Sequence, residues 1–465
     1  MSLPSTFTST DDYFRSCVHF LKTYAWIYQN ANTCFLKAGV LEYFSSHEID
    51  YFSNIGADEL NEFPYVKNHS LKKAPPMSLM EFRTKLRNLI PDEAFQEAAA
   101  FQAPAELLAF KKVSLKKQHE IHQLAHLINE LCDENEFMID FGAGLGYLSE
   151  MIYQKNANYS RRILGLEADP QRVKAARRRQ LEHMPAAKES IVYKQEFITE
   201  NSFEIIEASA QELLPPTIVQ SSWSIIGLHA CADLSVTSIR IFFAMSRVKR
   251  LIIMPCCYHK LEMLTAQKFR NFPLSKSLKN ALVYDDAEQM SRYFNRPFLR
   301  LACQQTLERW RCCSSEQHAA HGEQLWQRAL AETILLDGEK VVRRRKDQLG
   351  ESYADESLTF KGLCAVYELK CKHDDQSLPW QQQHERKFEE LMEKYPSGGR
   401  LAEGLICLQT TMQKLCENIV LYDRLCYVHE CAALKDLKIR TRCVKLMNAA
   451  LSPRCYALVA EKIAS

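Results

Sequence analysis

From residue 11 to about residue 110, apolar and aromatic residues recur three and four apart, as in YFRSCVHFLKTYAWIYQNANTCFLKAGVLEYF. That spacing predicts helices, punctuated near KKAPPMS. SLKKQHEIHQLAHLINELC then offers Ser114 as an N-cap for an amphipathic helix reaching about Cys132. Beyond it the pattern changes. Short apolar runs of strand length, FMIDFG, RILGLEAD, FEIIEAS, WSIIGLHA and RLIIMPCC, are read as five strands. Between them lie helical stretches, YLSEMIYQKN, PQRVKAARRRQLEHM with Pro170 at its start, and LSVTSIRIFFAMSR. Strands separated by helices of this length imply βαβ units and a parallel sheet. From about 275 to 400 the chain reads as helical and charged, and LICLQTTMQKLCENIVLYDRLCYVHECAAL as one long apolar helix. LKIRTRCVKLMN and CYALVAEKI return to strand patterns. The expected organisation is a helical region over 1–112, the first five strands of an α/β domain over 113–275, a helical insertion over 276–400, and a final helix with two completing strands over 401–465.

Composition narrows the class without naming it. The chain has 465 residues, 46% hydrophobic and 25% charged, as in ordinary globular proteins. A formal net charge of +2 supplies no bulk field for nucleic acid, so any such contact has to come from local patches. The basic runs RVKAARRRQ (Arg172 to Gln180) and VVRRRKD (Val341 to Asp347) are the candidates, with a solvated helix face as the plainer reading. No apolar run approaches the roughly 20 residues that cross a bilayer. MSLPSTFTSTDDYFRS has no basic stretch followed by an apolar one, so a secretory signal is not expected, and the expectation is an intracellular protein, cytoplasmic or nuclear. Seventeen cysteines, an odd number scattered through apolar segments, read as buried small hydrophobes of a reducing compartment.

The cofactor class follows from one turn. Asp140, Gly142, Gly144 and Gly146 spell D-x-G-x-G-x-G where the first strand meets its helix, with Ala143 inside the same turn. A dinucleotide fingerprint would need its last glycine at position 147, which is Tyr147. The observed spacing instead suits S-adenosylmethionine, which has no pyrophosphate to cradle. Glu167, 21 residues beyond Gly146 at the end of the second strand, is placed to accept both ribose hydroxyls. If FEIIEASAQEL is the third strand, Ser209 or Gln211 falls beside the adenine; an ordinary strand end is the alternative.

KKQHEI (Lys116 to Ile121), DFGAGLGYLS, GLHACADLS (Gly227 to Ser235), CCYHKL (Cys256 to Leu261), FPLS (Phe272 to Ser275) and LSPRCYALVAEK occur in this order. Together, from about residue 110 onward, they resemble the methyltransferase-like protein 25 family, and within it the 25B branch, also described as ribosomal RNA adenine dimethylase domain-containing. His229, Cys231, Cys256 and Cys257 also resemble, more distantly, the H-x-C and Cys-Cys elements of tRNA 2′-O-methyltransferases of the acceptor stem. The family usually has glycine where this chain has Ala232. The resemblance implies a Rossmann-like methyltransferase using S-adenosylmethionine, with RNA (tRNA or rRNA) as the substrate that kinship suggests. A cofactor-binding scaffold without catalysis, and a methyltransferase of protein or small molecules, are the alternatives.

Ligands of open parallel sheets sit at the carboxyl ends of the strands, which brings HACAD and PCCYHK beside the glycine turn. Methyl transfer from a sulfonium needs alignment and, for a hydroxyl acceptor, a proton acceptor. His229, Asp233, Tyr258, His259 and Lys260 are the groups available for that role, His229 and Asp233 first, with His229 also against the cofactor and a loop-capping role as the plainer reading. Cys231, Cys256 and Cys257 are expected to be soft packing residues of the substrate pocket, with Tyr258 as a wall. Adjacent cysteines rarely reach one tetrahedral ion and no C-x-x-C pair is present, so no metal is expected. Lys116, Lys117 and His119 are placed to close over the cofactor, or else simply to start a solvated helix.

Overall fold

The computed structural model describes residues 3–67, 71–95, 113–155, 161–214, 222–345 and 358–463. The chain forms two compact units, Met1–His19 with Asn88–Arg309 and Gln413–Ser465, and Phe20–Arg87 with Trp310–Met412. These divisions differ from the expected ones. Residues 276–309 belong with the sheet, because helix Arg296–Gln304 packs on the short turn Tyr258–Lys260 that follows the fifth strand.

The first unit is built on a seven-stranded sheet. β1 (Phe137–Phe141), β2 (Ile163–Glu167), β3 (Ile191–Gln195), β4 (Trp223–Cys231) and β5 (Val248–Cys256) run parallel in the order β3-β2-β1-β4-β5. β6 (Ile439–Lys445) and β7 (Tyr456–Lys462) complete it, β7 lying antiparallel between β5 and β6. α1 (Leu115–Leu131), α2 (Tyr147–Lys155), α3 (Pro170–His183), α4 (Phe203–Leu213) and α5 (Leu234–Ala244) connect or precede the parallel strands, a doubly wound, Rossmann-like arrangement. Their ends follow local rules. Ser114 Oγ accepts from Lys117 N at the start of α1, and Asp169 Oδ1 accepts from Gln171 N ahead of Pro170 in α3.

One strand is not where the hydrophobic pattern put it. FEIIEASAQEL is α4, whose buried positions Ile206, Ser209 and Ala210 make a helical stripe. The third strand is IVYKQ, which pairs with β2 alone and buries only Ile191, Tyr193 and their face. As an edge strand it carries polar residues on the other face, so no apolar run announces it.

Phe137, Ile139 and Phe141 of β1 point into a core shared with α4, α5 and the last turns of α6 (Gly398–Leu434), through Ile206, Phe242, Leu425 and Val428. Within this unit Asp423 of α6 is fully buried and accepts from Leu274 N (2.8 Å), Ser275 N (2.8 Å) and Ser275 Oγ (2.6 Å). Burial pushes its pKa up despite these three donors.

The second unit is not wholly helical. Around helix Ser315–Thr333 it adds a three-stranded antiparallel sheet, Glu339–Arg343, Tyr367–Cys371 and Ser377–Leu378. Val341 to Arg343 of the second basic run lie on its first strand, while residues 346–347 of that run fall outside the described residues. Buried His318 is held between Glu403 Oε1 (2.5 Å from Nδ1) and Asn61 Oδ1 (2.7 Å from Nε2). Among the described residues no helix is long and apolar enough to cross a membrane.

Replacing Asp423 by alanine strands three buried donors at once. Asp423→Ala is expected to lower unfolding free energy by about 3 kcal/mol in urea titrations, where an exposed ion pair would give well under 1.

Candidate active site

A cavity of about 880 Å³ opens at the carboxyl ends of β1, β2 and β4, at the point between β1 and β4 where the strand order reverses. Asp140, Gly142, Ala143, Gly144, Glu167, His229, Cys231 and Asp233 all line it. Gly142 and Gly144 have φ of 72° and 60°, the left-handed region that favours glycine, and around a Cβ at Gly144 the nearest heavy atom is Gly142 O at 3.9 Å. The turn therefore presents bare backbone to the cavity. Gly146 does another job. A Cβ there would stand 2.2 Å from Tyr193 Oη, which donates to Gly146 O (3.2 Å), so the third glycine lets the turn pack on β3 and is not among the lining residues.

Glu167 holds the turn. Its Oε2 accepts from Gly144 N (3.0 Å) and its Oε1 from Asp169 N (3.1 Å), leaving lone pairs for a ligand. Asp140 is fully buried and accepts from Ser149 Oγ (2.7 Å). Burial, reinforced by the nearby charge of Glu167, raises its pKa to about 7. Ser209 and Gln211, expected beside the adenine, sit on α4 and do not line the cavity, because the third strand lies earlier in the chain. Glu196 and Phe197, directly after β3, line it in their place. The alternating burial of IVYKQ was the signal for them.

His229 lines the cavity with its side chain about one-third exposed, its Nε2 3.5 Å from Glu120 Oε2. Desolvation lowers its pKa, with Glu120 opposing, so the imidazole is neutral near pH 7. Glu120 is itself buried and accepts from Ser452 Oγ (2.6 Å). Reading the sequence missed it, although KKQHEI contains it. His119 is turned away, accepting from Asn448 N (2.9 Å), and of the lysines at this helix start Lys117 lines the cavity, its Nζ 4.5 Å from the Tyr147 ring centroid.

Asp233 is engaged at both oxygens, by Glu262 N (2.9 Å) and Asn271 Nδ2 (2.7 Å), and so ties the 262–271 segment to the end of β4. Ala232 has a φ of 50°, a left-handed backbone that strains any residue with a Cβ.

The residues after β5 are placed differently from expectation. Tyr258 is buried away from the cavity, donating to Pro255 O (3.2 Å) beneath the Arg424 guanidinium, and is not among the lining residues. His259 faces Cys303 Sγ (3.4 Å) and Lys260 is exposed. None of the three borders the cavity, because Cys257 adopts a left-handed conformation, φ 51°, and diverts the chain. Cys256 and Cys257 do not line it either, while Cys231 does; yet the three sulfurs lie within 4.8 Å of one another, a convergence that adjacency in sequence argued against.

A doubly wound sheet with this glycine turn and carboxylate at its switch point defines a Rossmann-like methyltransferase fold, and residues 116–263 match a family model described as a methyltransferase domain. In particular, the chain is 27% identical over 241 residues to probable methyltransferase-like protein 25 of Homo sapiens, and 26% identical over 250 residues to that of Mus musculus. Each match covers 51% of this chain, but only 36% and 37% of the relative, so the chain matches little more than a third of either curated protein. Among solved structures, coclaurine N-methyltransferase bound to N-methylheliamine and SAH is 10% identical, covering 92% of this chain and 98% of that one at a TM-score of 0.24, too slight a likeness to carry an argument.

The raised pKa of Asp140 has a signed consequence. A carboxyl that holds its proton more tightly folded than unfolded loses stability as pH rises from its ordinary 3.8 through about 7. Asp140→Asn is therefore expected to match the parent near pH 4 and to unfold at higher urea at pH 8, by at most about 4 kcal/mol, in chemical denaturation without cofactor.

Proposed function

We propose that this chain transfers a methyl group from S-adenosylmethionine to RNA, with His229 taking the proton of the acceptor. The observation that carries the reading is the convergence of a bare glycine turn, Glu167 and His229 on one cavity. The cofactor supplies a methyl group already activated on a sulfonium. Glu167 would accept from its ribose hydroxyls, the backbone of Gly142 to Gly144 would lie against its methionine end, and Glu196 and Phe197 would flank its adenine.

The remaining work is positioning, exclusion of water and one proton. His229, uncharged and beside the buried carboxylate of Glu120, suits the role of base better than Asp233, whose two oxygens already hold the 262–271 segment. Lys117, Arg172 and Arg270 line the same cavity, Arg172 paired with Asp169 and Arg270 with Glu262, and would supply the contacts to the phosphates of an RNA substrate.

Calorimetry of the full chain is expected to show S-adenosylhomocysteine binding and no NADH binding, with Gly144→Val weakening the former at least about tenfold by filling the turn. With labelled S-adenosylmethionine, label is expected in total cellular RNA and not in protein fractions. His229→Ala is expected to lower turnover about 100-fold while leaving S-adenosylhomocysteine affinity within about threefold. Label in protein alone would overturn the substrate, and binding without label in any fraction would overturn the activity.

A further inference from the structure

The thiols of Cys231, Cys256 and Cys257 form a cluster that methyl transfer does not require. Cys231 and Cys256 are cross-strand partners at the ends of β4 and β5, with their sulfurs 3.0 Å apart. In a regular strand Cys257 would point to the opposite face from Cys256. Its left-handed backbone instead turns the third sulfur to the same side, so that all three lie within 4.8 Å of one another. A non-glycine residue in this region is strained and persists where the surroundings impose it, often for a function. Arg454 adds a fourth component, its Nη2 standing 3.6 Å from Cys257 Sγ.

We propose that Cys231, Cys256 and Cys257 bind one zinc ion at the edge of the methyl-transfer cavity. Zinc accepts sulfur ligands at about 2.3 Å, which sets the sulfurs of a tetrahedral site roughly 3.8 Å apart; side-chain rotations would have to open the Cys231–Cys256 pair from 3.0 Å by under about 1 Å and keep the third sulfur, now within 4.8 Å of both, at that same spacing. Three thiolates on a divalent ion leave one negative charge, which the Arg454 guanidinium offsets. A disulfide between Cys231 and Cys256 would use two of the sulfurs and leave both the conformation of Cys257 and the placement of Arg454 without a purpose. Three protein ligands also leave a fourth position on the ion, and since Cys231 lines the cavity, a ligand entering there can complete the coordination.

The test uses the full chain, purified under reducing conditions with neither a chelator nor a polyhistidine tag. Elemental analysis is expected to find about one zinc per chain, and cobalt exchanged for zinc to give a thiolate-to-cobalt charge-transfer band with the visible bands of a tetrahedral centre. Cys256→Ser and Cys231→Ser are each expected to weaken cobalt binding at least about tenfold, whereas Cys312→Ser, at an exposed thiol, retains both metal and spectrum. If Cys256→Ser fails to fold, judged by circular dichroism, Cys231→Ser at the partly exposed position decides the matter. Absence of zinc together with no charge-transfer band would overturn the proposal, as would a Cys231–Cys256 disulfide in peptides mapped without reduction. None of these readouts depends on S-adenosylhomocysteine binding, so the metal site and the methyltransferase reading stand or fall separately.

Discussion

Two backbone amides, those of Gly144 and Asp169, share the carboxylate of Glu167, and the arrangement of the cavity rests on that sharing. The start of the glycine turn is tied to β2 by Gly142 N and Ala143 N, which both donate to Leu166 O (2.9 and 3.0 Å), but the side-chain-free stretch around Gly144 lies beyond those bonds. A charged acceptor at the end of the neighbouring strand supplies the restraint, because charge-assisted hydrogen bonds are roughly twice as strong as neutral ones. The same side chain then fixes the start of α3 through Asp169, whose own side chain caps that helix. One residue thus sets the spacing between the two loops that a nucleoside would have to bridge.

The opposite wall is organised by backbone conformation. Ala232 and Cys257, one residue beyond the paired Cys231 and Cys256, both take positive φ, and Ala232 N donates to Cys256 O (2.9 Å), so the ends of β4 and β5 are bent as a pair. This bend separates what the sequence runs together. Asp233 and His229 are kept at the cavity, whereas Tyr258 and His259 are carried into contact with Arg424 and Cys303. Glu120 and Arg454 reach the same neighbourhood from α1 and from the segment before β7, giving the wall charged supports from distant parts of the chain.

The sheet, its parallel sense and the glycine turn were legible in the sequence because buried parallel strands are continuous apolar runs and the turn stands between such a run and a helix, with an acid at the end of the next strand. β3 was not, since an edge strand shows only half of that signal, and α4 was mistaken for it because Ile205 and Ile206 are adjacent although Ile205 is exposed. Spacing alone grouped Asp140, Gly142, Gly144 and Glu167, and the four line one cavity. Glu196 was lost with β3, and Tyr258, His259 and Lys260 were misplaced because nothing in PCCYHK announces a left-handed residue. Glu120 and Arg454 act across separations of more than a hundred residues, beyond the reach of any local pattern.

The pairing of β7 with β5, which joins Leu458 to Ile253, also has a history in time. About 200 residues separate the partners, so during synthesis β5 is exposed long before its neighbour exists, and closing so long a loop is slow. Through that interval the edge of β5, LIIM with its unpaired amides, is a template for other chains. A nascent chain of this protein therefore passes through a stage in which that apolar edge stands open, and shortening the stretch between β5 and β7 would shorten the exposure.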